Sequence, residues 1–107
     1  GVIMKVVFHI DELEKWTETA NNVKNLLKEP PKIDIIVLIN GSAINGYLAT
    51  ENQTFIATQG VTFHACNNAM RANQITKDQL PENVVVVPAG VLDLIELQAQ
   101  GYAYIKP

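Results

Sequence analysis

Between Ile33 and Ile39 the chain reads Ile-Asp-Ile-Ile-Val-Leu-Ile, and Asp34, near the start of the run, is its one polar residue. A strand with one wet face alternates apolar and polar residues, because successive side chains point to opposite sides. This run does not alternate, so both of its faces must be covered. Strands of that kind belong to parallel sheets packed between helices. No apolar run in the chain approaches the ~18 residues that a membrane-crossing helix needs.

The rest of the chain keeps a β-α rhythm. Residues 2–10 are rich in β-formers and read as a first strand rather than a signal peptide, since His9 and Asp11 cut the apolar stretch short. Met4 is a candidate natural start. Asp11, with Glu14 three residues on, suggests a capping box, and Leu13, Trp16, Ala20, Val23 and Leu27 fall on one helical face. Glu29-Pro30-Pro31 ends that helix. Asn40-Gly41-Ser42 turns the chain into a helical stretch carrying Ala43, Ile44, Tyr47 and Leu48. Thr50 and Gln53 suggest a second capping box, opening a helix with Phe55 and Ile56 that Gly60 ends.

Residues 61–65 form the third strand, and Cys66-Asn67-Asn68 opens a short helix. Pro81-Glu82-Asn83 is a turn before the fourth strand, residues 84–87. Pro88-Ala89-Gly90 then leads into a helix carrying Val91, Leu94, Ile95 and Ala99, ended by Gly101. Residues 102–105 make a short last strand. This order predicts one domain over residues 1–107, an α/β fold: a three-layer α/β/α sandwich with a mostly parallel sheet of about five strands.

At 48% hydrophobic and 18% charged residues, the chain must fold around a core rather than stay disordered. Its 107 residues bury less surface than a larger domain would, which makes assembly with other copies a natural source of further burial. Net charge is −3, and Lys15, Lys24, Lys28, Lys32, Arg71 and Lys77 are scattered among acids. Phosphate backbones need concentrated positive charge, so no nucleic-acid partner is expected, and no membrane partner either. One cysteine and two histidines exclude an intramolecular disulfide and make a poor zinc set, so no metal or cofactor is expected and a reducing cytoplasm fits best.

In open α/β sheets, sites form beyond the carboxyl ends of the strands. Those ends are residues 9–11, Asn40-Gly41-Ser42, residues 64–68 and Pro88-Ala89-Gly90, and the polar, glycine-containing and reactive residues collect there. Cys66 is the sharpest element. A helix N-terminus stabilises a thiolate through its dipole and free N–H groups; the competing reading is a small buried apolar residue. His64, two residues earlier, can face the same side and act as a base, or be a packed and hydrogen-bonded histidine. His9 can approach from a neighbouring strand. Arg71 can hold a bound anion or be a solvated or interface charge. The Asn40-Gly41-Ser42 loop can cradle an anion with backbone N–H groups, or be a tight turn with Ser42 as the helix cap. It lacks both the dinucleotide fingerprint and the P-loop lysine. Ala89 and Gly90 permit close backbone approach.

With these elements in order, the chain resembles the DsrE/DsrF-like family of small sulfur-relay proteins. The resemblance rests on Met4-Lys5-Val6-Val7, on the segment from Val37 through Asn40-Gly41-Ser42-Ala43, on the stretch around Cys66-Asn67-Asn68 with Arg71, on residues 75–80, on Pro88-Ala89-Gly90-Val91, and on the closing Gln100-Gly101-Tyr102-Ala103-Tyr104-Ile105. It implies a parallel five-stranded sheet between helices, assembly into trimers or hexamers, and a cysteine that carries sulfur as a persulfide. Cys66 matches the cysteine after the third strand of the single-domain branch, with Asn68 and Arg71 matching its asparagine and arginine. Ala69 departs from that branch, which often has a hydroxyl residue there.

The leading expectation is thus a cytoplasmic sulfur carrier. Cys66 would hold the sulfane sulfur, the Asn67 and Asn68 N–H groups would steady the anion, and His64 or Arg71 would assist. With one cysteine in the chain, the donor and the acceptor thiol lie on partner proteins. The alternative is a non-enzymatic, oligomeric binding module whose rim loops hold a small anion or a nucleotide-like ligand. Redox sensing through a Cys66 sulfenic acid ranks third, since no resolving cysteine is present.

Overall fold

A computed structural model describes residues 3–107, and Ile33–Ile39 forms β2, the middle strand of a five-stranded sheet. The other strands are β1 (Met4–Ile10), β3 (Val61–Cys66), β4 (Val85–Val87) and β5 (Ala103–Ile105). They run in the order β4-β3-β2-β1-β5, and every neighbouring pair is parallel. The expected start of the first strand at Val2 lies outside the described residues.

The sheet is covered unequally. α1 (Trp16–Leu27), a 3₁₀ stretch over Gly41–Leu48, α2 (Gln53–Ile56) and α3 (Asn67–Ala72) pack on one face, against Phe8, Ile35, Val37 and Phe63. The opposite face carries one helix, α4 (Gly90–Ala99), whose Leu94 and Leu97 cover Val7, Ile36 and Leu38. The sandwich has its three layers, the third reduced to a single helix. That helix stops as the sequence suggested: Gly101 takes a positive φ of 96°, and the Gly101 and Tyr102 N–H groups donate back to the Gln98 and Leu97 carbonyls.

Several local expectations are corrected. The first helix opens with a 3₁₀ turn, Leu13–Lys15, preceded by Glu12 without a side-chain cap; the Asp11 carboxylate reaches Lys106 instead, at 3.1 Å, and raises the lysine's pKa. The buried face of α1 is Trp16, Thr19 and Val23, while Leu13 and Leu27 are exposed. Thr50 makes no cap, because Gln53 turns its amide to the Tyr47 and Ala49 carbonyls. A capping box does form at Thr76 and Gln79, where Thr76 is extended before a 3₁₀ turn. On α4, Val91 and Ile95 face outward at 65% and 59% exposure, and Leu97 takes the buried place.

One packing unit sets the loop after β2. The Trp16 indole donates to the Ala43 carbonyl at 2.8 Å, and lies where a side chain at Gly46 would otherwise stand. Tyr47 meets that indole edge-on and donates its hydroxyl to the His64 carbonyl at 2.7 Å. Full burial raises the Tyr47 phenol's pKa well above its usual value. These contacts clamp the 3₁₀ stretch between α1 and β3. They thereby hold Asn40, Gly41 and Ser42 at the rim of the sheet.

Candidate functional site

The connections after β1, β2 and β3 leave to the thick face, and the one after β4 leaves to the α4 face. Neighbouring strands whose connections part in this way open a crevice at their carboxyl ends. Here the parting strands are β3 and β4, and a cleft of about 620 Å³ lies there. Asn40, Gly41 and Ser42 line it from β2. Cys66, Asn68, Ala69, Ala72 and Asn73 line it from β3 and α3, and Ala89, Gly90 and Val91 from the start of α4. None of these side chains is charged.

Cys66 ends β3 and is the N-cap of α3, with extended backbone angles (φ −71°, ψ 117°). A cap side chain accepts from the third N–H of its helix. Accordingly Sγ accepts from the Ala69 N–H at 3.5 Å, not from Asn67 or Asn68 as the sequence suggested. A second donor arrives from another element, the Gly90 N–H at 3.2 Å. A Cβ at residue 90 would crowd this corner, standing 3.1 Å from the Asn40 Cβ and 3.3 Å from the Cys66 Cβ. Cys66 is buried, with 5% of the residue's surface exposed, and it lines the cleft. Two N–H dipoles converge on one sulfur, which is the arrangement that negative charge on that sulfur uses.

The other expected residues are dispersed around this point. His64 is absent from the cleft lining; its Nδ1 pairs with the Asp93 carboxylate of α4 at 2.7 Å, with both side chains largely buried. Strand parity alone suggested that it would face Cys66. The packing of α4 gives it a closer partner. Arg71 is exposed and donates to the Asn68 Oδ1 at 2.7 Å, outside the cleft lining, as is Asn67. Ser42 lies within the 3₁₀ stretch and caps nothing; Asn40 holds the N-cap position, without a side-chain cap bond. Gly41 needs its freedom: φ is +56°, and a Cβ would press on the Asp11 carbonyl oxygen at 3.1 Å.

Sequence reasoning passed over Ala72, Asn73 and Val91, which carry no chemical signal of their own. It also underrated His9. The imidazole bridges two distant elements, Nδ1 at 2.6 Å from the Tyr104 hydroxyl and Nε2 at 2.8 Å from the Asn40 Oδ1. Among the described residues no group of His, Cys, Asp and Glu is placed to hold a metal ion, and no helix is long and apolar enough to cross a membrane.

Comparison with known proteins bears on the family and the fold. The model of the DsrE/DsrF-like family matches residues 4–107. Among solved structures, a protein of unknown function from Methanobacterium thermoautotrophicum, MTH1491, superposes with a TM-score of 0.89 at 34% identity, over 97% of this chain and 99% of the other. The ychN protein from E. coli shares the fold, with a TM-score of 0.77 at 11% identity, over 99% of this chain and 100% of the other. No curated protein sequence matches the chain.

Proposed function

Given that the chain belongs to the DsrE/DsrF-like family, we propose that it is a sulfur carrier, with Cys66 holding a sulfane sulfur as a persulfide and passing it to a thiol on a partner protein. The observation that carries this reading is the Cys66 Sγ at the cleft, held by the Ala69 and Gly90 N–H groups. In the loading step the Cys66 thiolate attacks the outer sulfur of a donor persulfide, R–S–SH. The new Sγ–S bond forms as the donor's S–S bond breaks, and the electron pair leaves on R–S⁻. Unloading is the same displacement by an external thiolate on the outer sulfur, which returns Cys66 to its thiolate. Neither step needs an oxidant. Since the chain has one cysteine, no internal thiol competes with the acceptor.

Intact mass measurement after incubation with a persulfide donor tests the proposal. Wild type should gain the mass of one sulfur atom, reversed by a reductant, and Cys66→Ser should gain nothing. No gain on wild type, or an equal gain on the variant, sinks the carrier reading. Association of several copies and a cytoplasmic setting belong to the same reading. The outward Val91, Leu92 and Ile95 of α4 support the first, as a contiguous apolar surface of the kind that interfaces cover. Light scattering that finds a stable monomer at micromolar concentration would remove it.

A non-enzymatic binding module is the second reading, favoured by the cleft's volume of about 620 Å³, enough for a small molecule. Its uncharged lining suits a polar neutral ligand better than an anion or a nucleotide. A ligand-induced rise in Tm that survives Cys66→Ala would favour this reading over the first.

A further inference from the structure

The Cys66 Sγ takes its hydrogen bonds from backbone, yet the residue that flanks it across Gly90 is a side-chain amide held in place from far away. Asn40 has a fixed backbone: its N–H donates to the Ile10 carbonyl at 3.1 Å, carrying the β1–β2 pairing one residue past the strands. Its Oδ1 is engaged by the His9 Nε2 at 2.8 Å. A carbonyl oxygen can only accept, so Nε2 carries the proton. In the neutral ring Nδ1 is then an acceptor, and the Tyr104 hydroxyl at 2.6 Å is its donor.

The Asn40 Nδ2 is thereby turned away from His9 and toward the cleft. It stands 3.2 Å from the point a Cβ at residue 90 would occupy, and the Cys66 Cβ stands 3.3 Å from the same point. Among the described residues Nδ2 has no hydrogen-bond partner, and it makes none with Sγ. Its donors are therefore available to an atom lying beyond Sγ. We propose that Tyr104, His9 and Asn40 form a positioning chain that aims the Asn40 amide N–H groups at the atom bonded to Cys66 Sγ, which in the carrier reading, on which this rests, is the outer persulfide sulfur. Backbone N–H groups hold the inner sulfur, and Asn40 recognises the outer one. His9 touches no ligand and acts through Asn40. Tyr104, on the last strand, ties β5 to the site.

The test installs an outer sulfur chemically, so that it does not depend on whether the protein carries sulfur in its own role. Methyl methanethiolsulfonate converts the Cys66 thiolate to Sγ–S–CH₃, with methanesulfinate leaving on the electron pair of the broken S–S bond. In ¹⁵N-labelled protein at mildly alkaline pH, His9 should show the Nε2–H tautomer, with His64→Gln separating the two histidines. The Asn40 side-chain N–H₂ signals should shift on modification. That shift should vanish in His9→Leu and return in His9→Gln, whose amide can still donate to the Asn40 Oδ1. Reduction of the mixed disulfide by an external thiol should change by about three- to tenfold in Asn40→Leu, the effect of one hydrogen bond. A Nδ1–H tautomer at His9, or Asn40 signals that ignore the modification, overturns the proposal. Failure of wild type to take sulfur from a persulfide donor removes only the carrier reading.

Discussion

His9 and His64 stand in one row across the sheet. His9 pairs with Leu38 of β2, and Leu38 pairs with His64 of β3, so all three side chains share the face that α4 covers. The two histidines nevertheless have opposite surroundings. His64 meets α4 directly and binds Asp93, while its own carbonyl accepts the Tyr47 hydroxyl from the other side of the sheet. It ties both layers to β3. His9 lies nearer the β5 edge, where its partners are Tyr104 and the Asn40 loop. An imidazole at a strand end has no role of its own; what packs over it decides whether it fastens a helix or orients a site.

That contrast can be broken from the His64 side first. Replacing His64 with Leu leaves Asp93 largely buried without its partner and should cost about 1.5–3 kcal/mol of stability by urea unfolding. Asp93→Ala should cost a similar amount, and the double variant clearly less than the sum. A double variant that shows full additivity would mean that the pair does not fasten α4. His9→Leu removes bonds in a more open setting and should cost about 0.5–1.5 kcal/mol, while changing the chemistry at Cys66 more than His64→Leu does. If the two variants alter Cys66 equally, the division of roles fails.

The smallest effect concerns a third polar pair on the same face. The Tyr102 hydroxyl donates to the Asp34 carboxylate at 2.7 Å, and that bond, followed by burial and the carboxylate's charge, pushes the phenol up to about 12. A raised folded value means that the pair's stabilisation is complete below pH 10, the ordinary phenol value, and is lost as pH rises through about 12. The stability gap between wild type and Tyr102→Phe should therefore be flat up to pH 10 and close above it. A gap that stays open through pH 12 would mean that the bond to Asp34 does not raise the phenol, and no gap at any pH would mean that the hydroxyl contributes nothing.

Much of the architecture was legible because the signals that carried it are local. The nearly unbroken aliphatic run of Ile33–Ile39 marks a strand covered twice, and Gly41 after β2 and Pro88 after β4 mark where those strands hand over to helical turns. Cys66 was legible for the same reason, since its place is set by the residues beside it. The first helix shows the limit of such reading. Leu13 and Leu27 fit a helical period, yet Leu13 falls in a 3₁₀ turn and it is Leu26, not Leu27, that packs against the core, so both leucines are exposed. The capping boxes show it again, because the side chain at Asp11 is drawn to Lys106 near the far end of the chain.

Cys66 was thus assigned its position by sequence alone, at the end of a strand and the start of a helix. Its neighbours were decided only when the sheet closed. The Gly90 N–H comes to Sγ from 24 residues away, and Asn40 is aimed by a histidine 31 residues before it and, through that ring, by a tyrosine 95 residues beyond His9. Strand and helix signals act over a few residues of chain. A hydrogen bond acts over about 3 Å of space, and only the folded sheet makes those distances short.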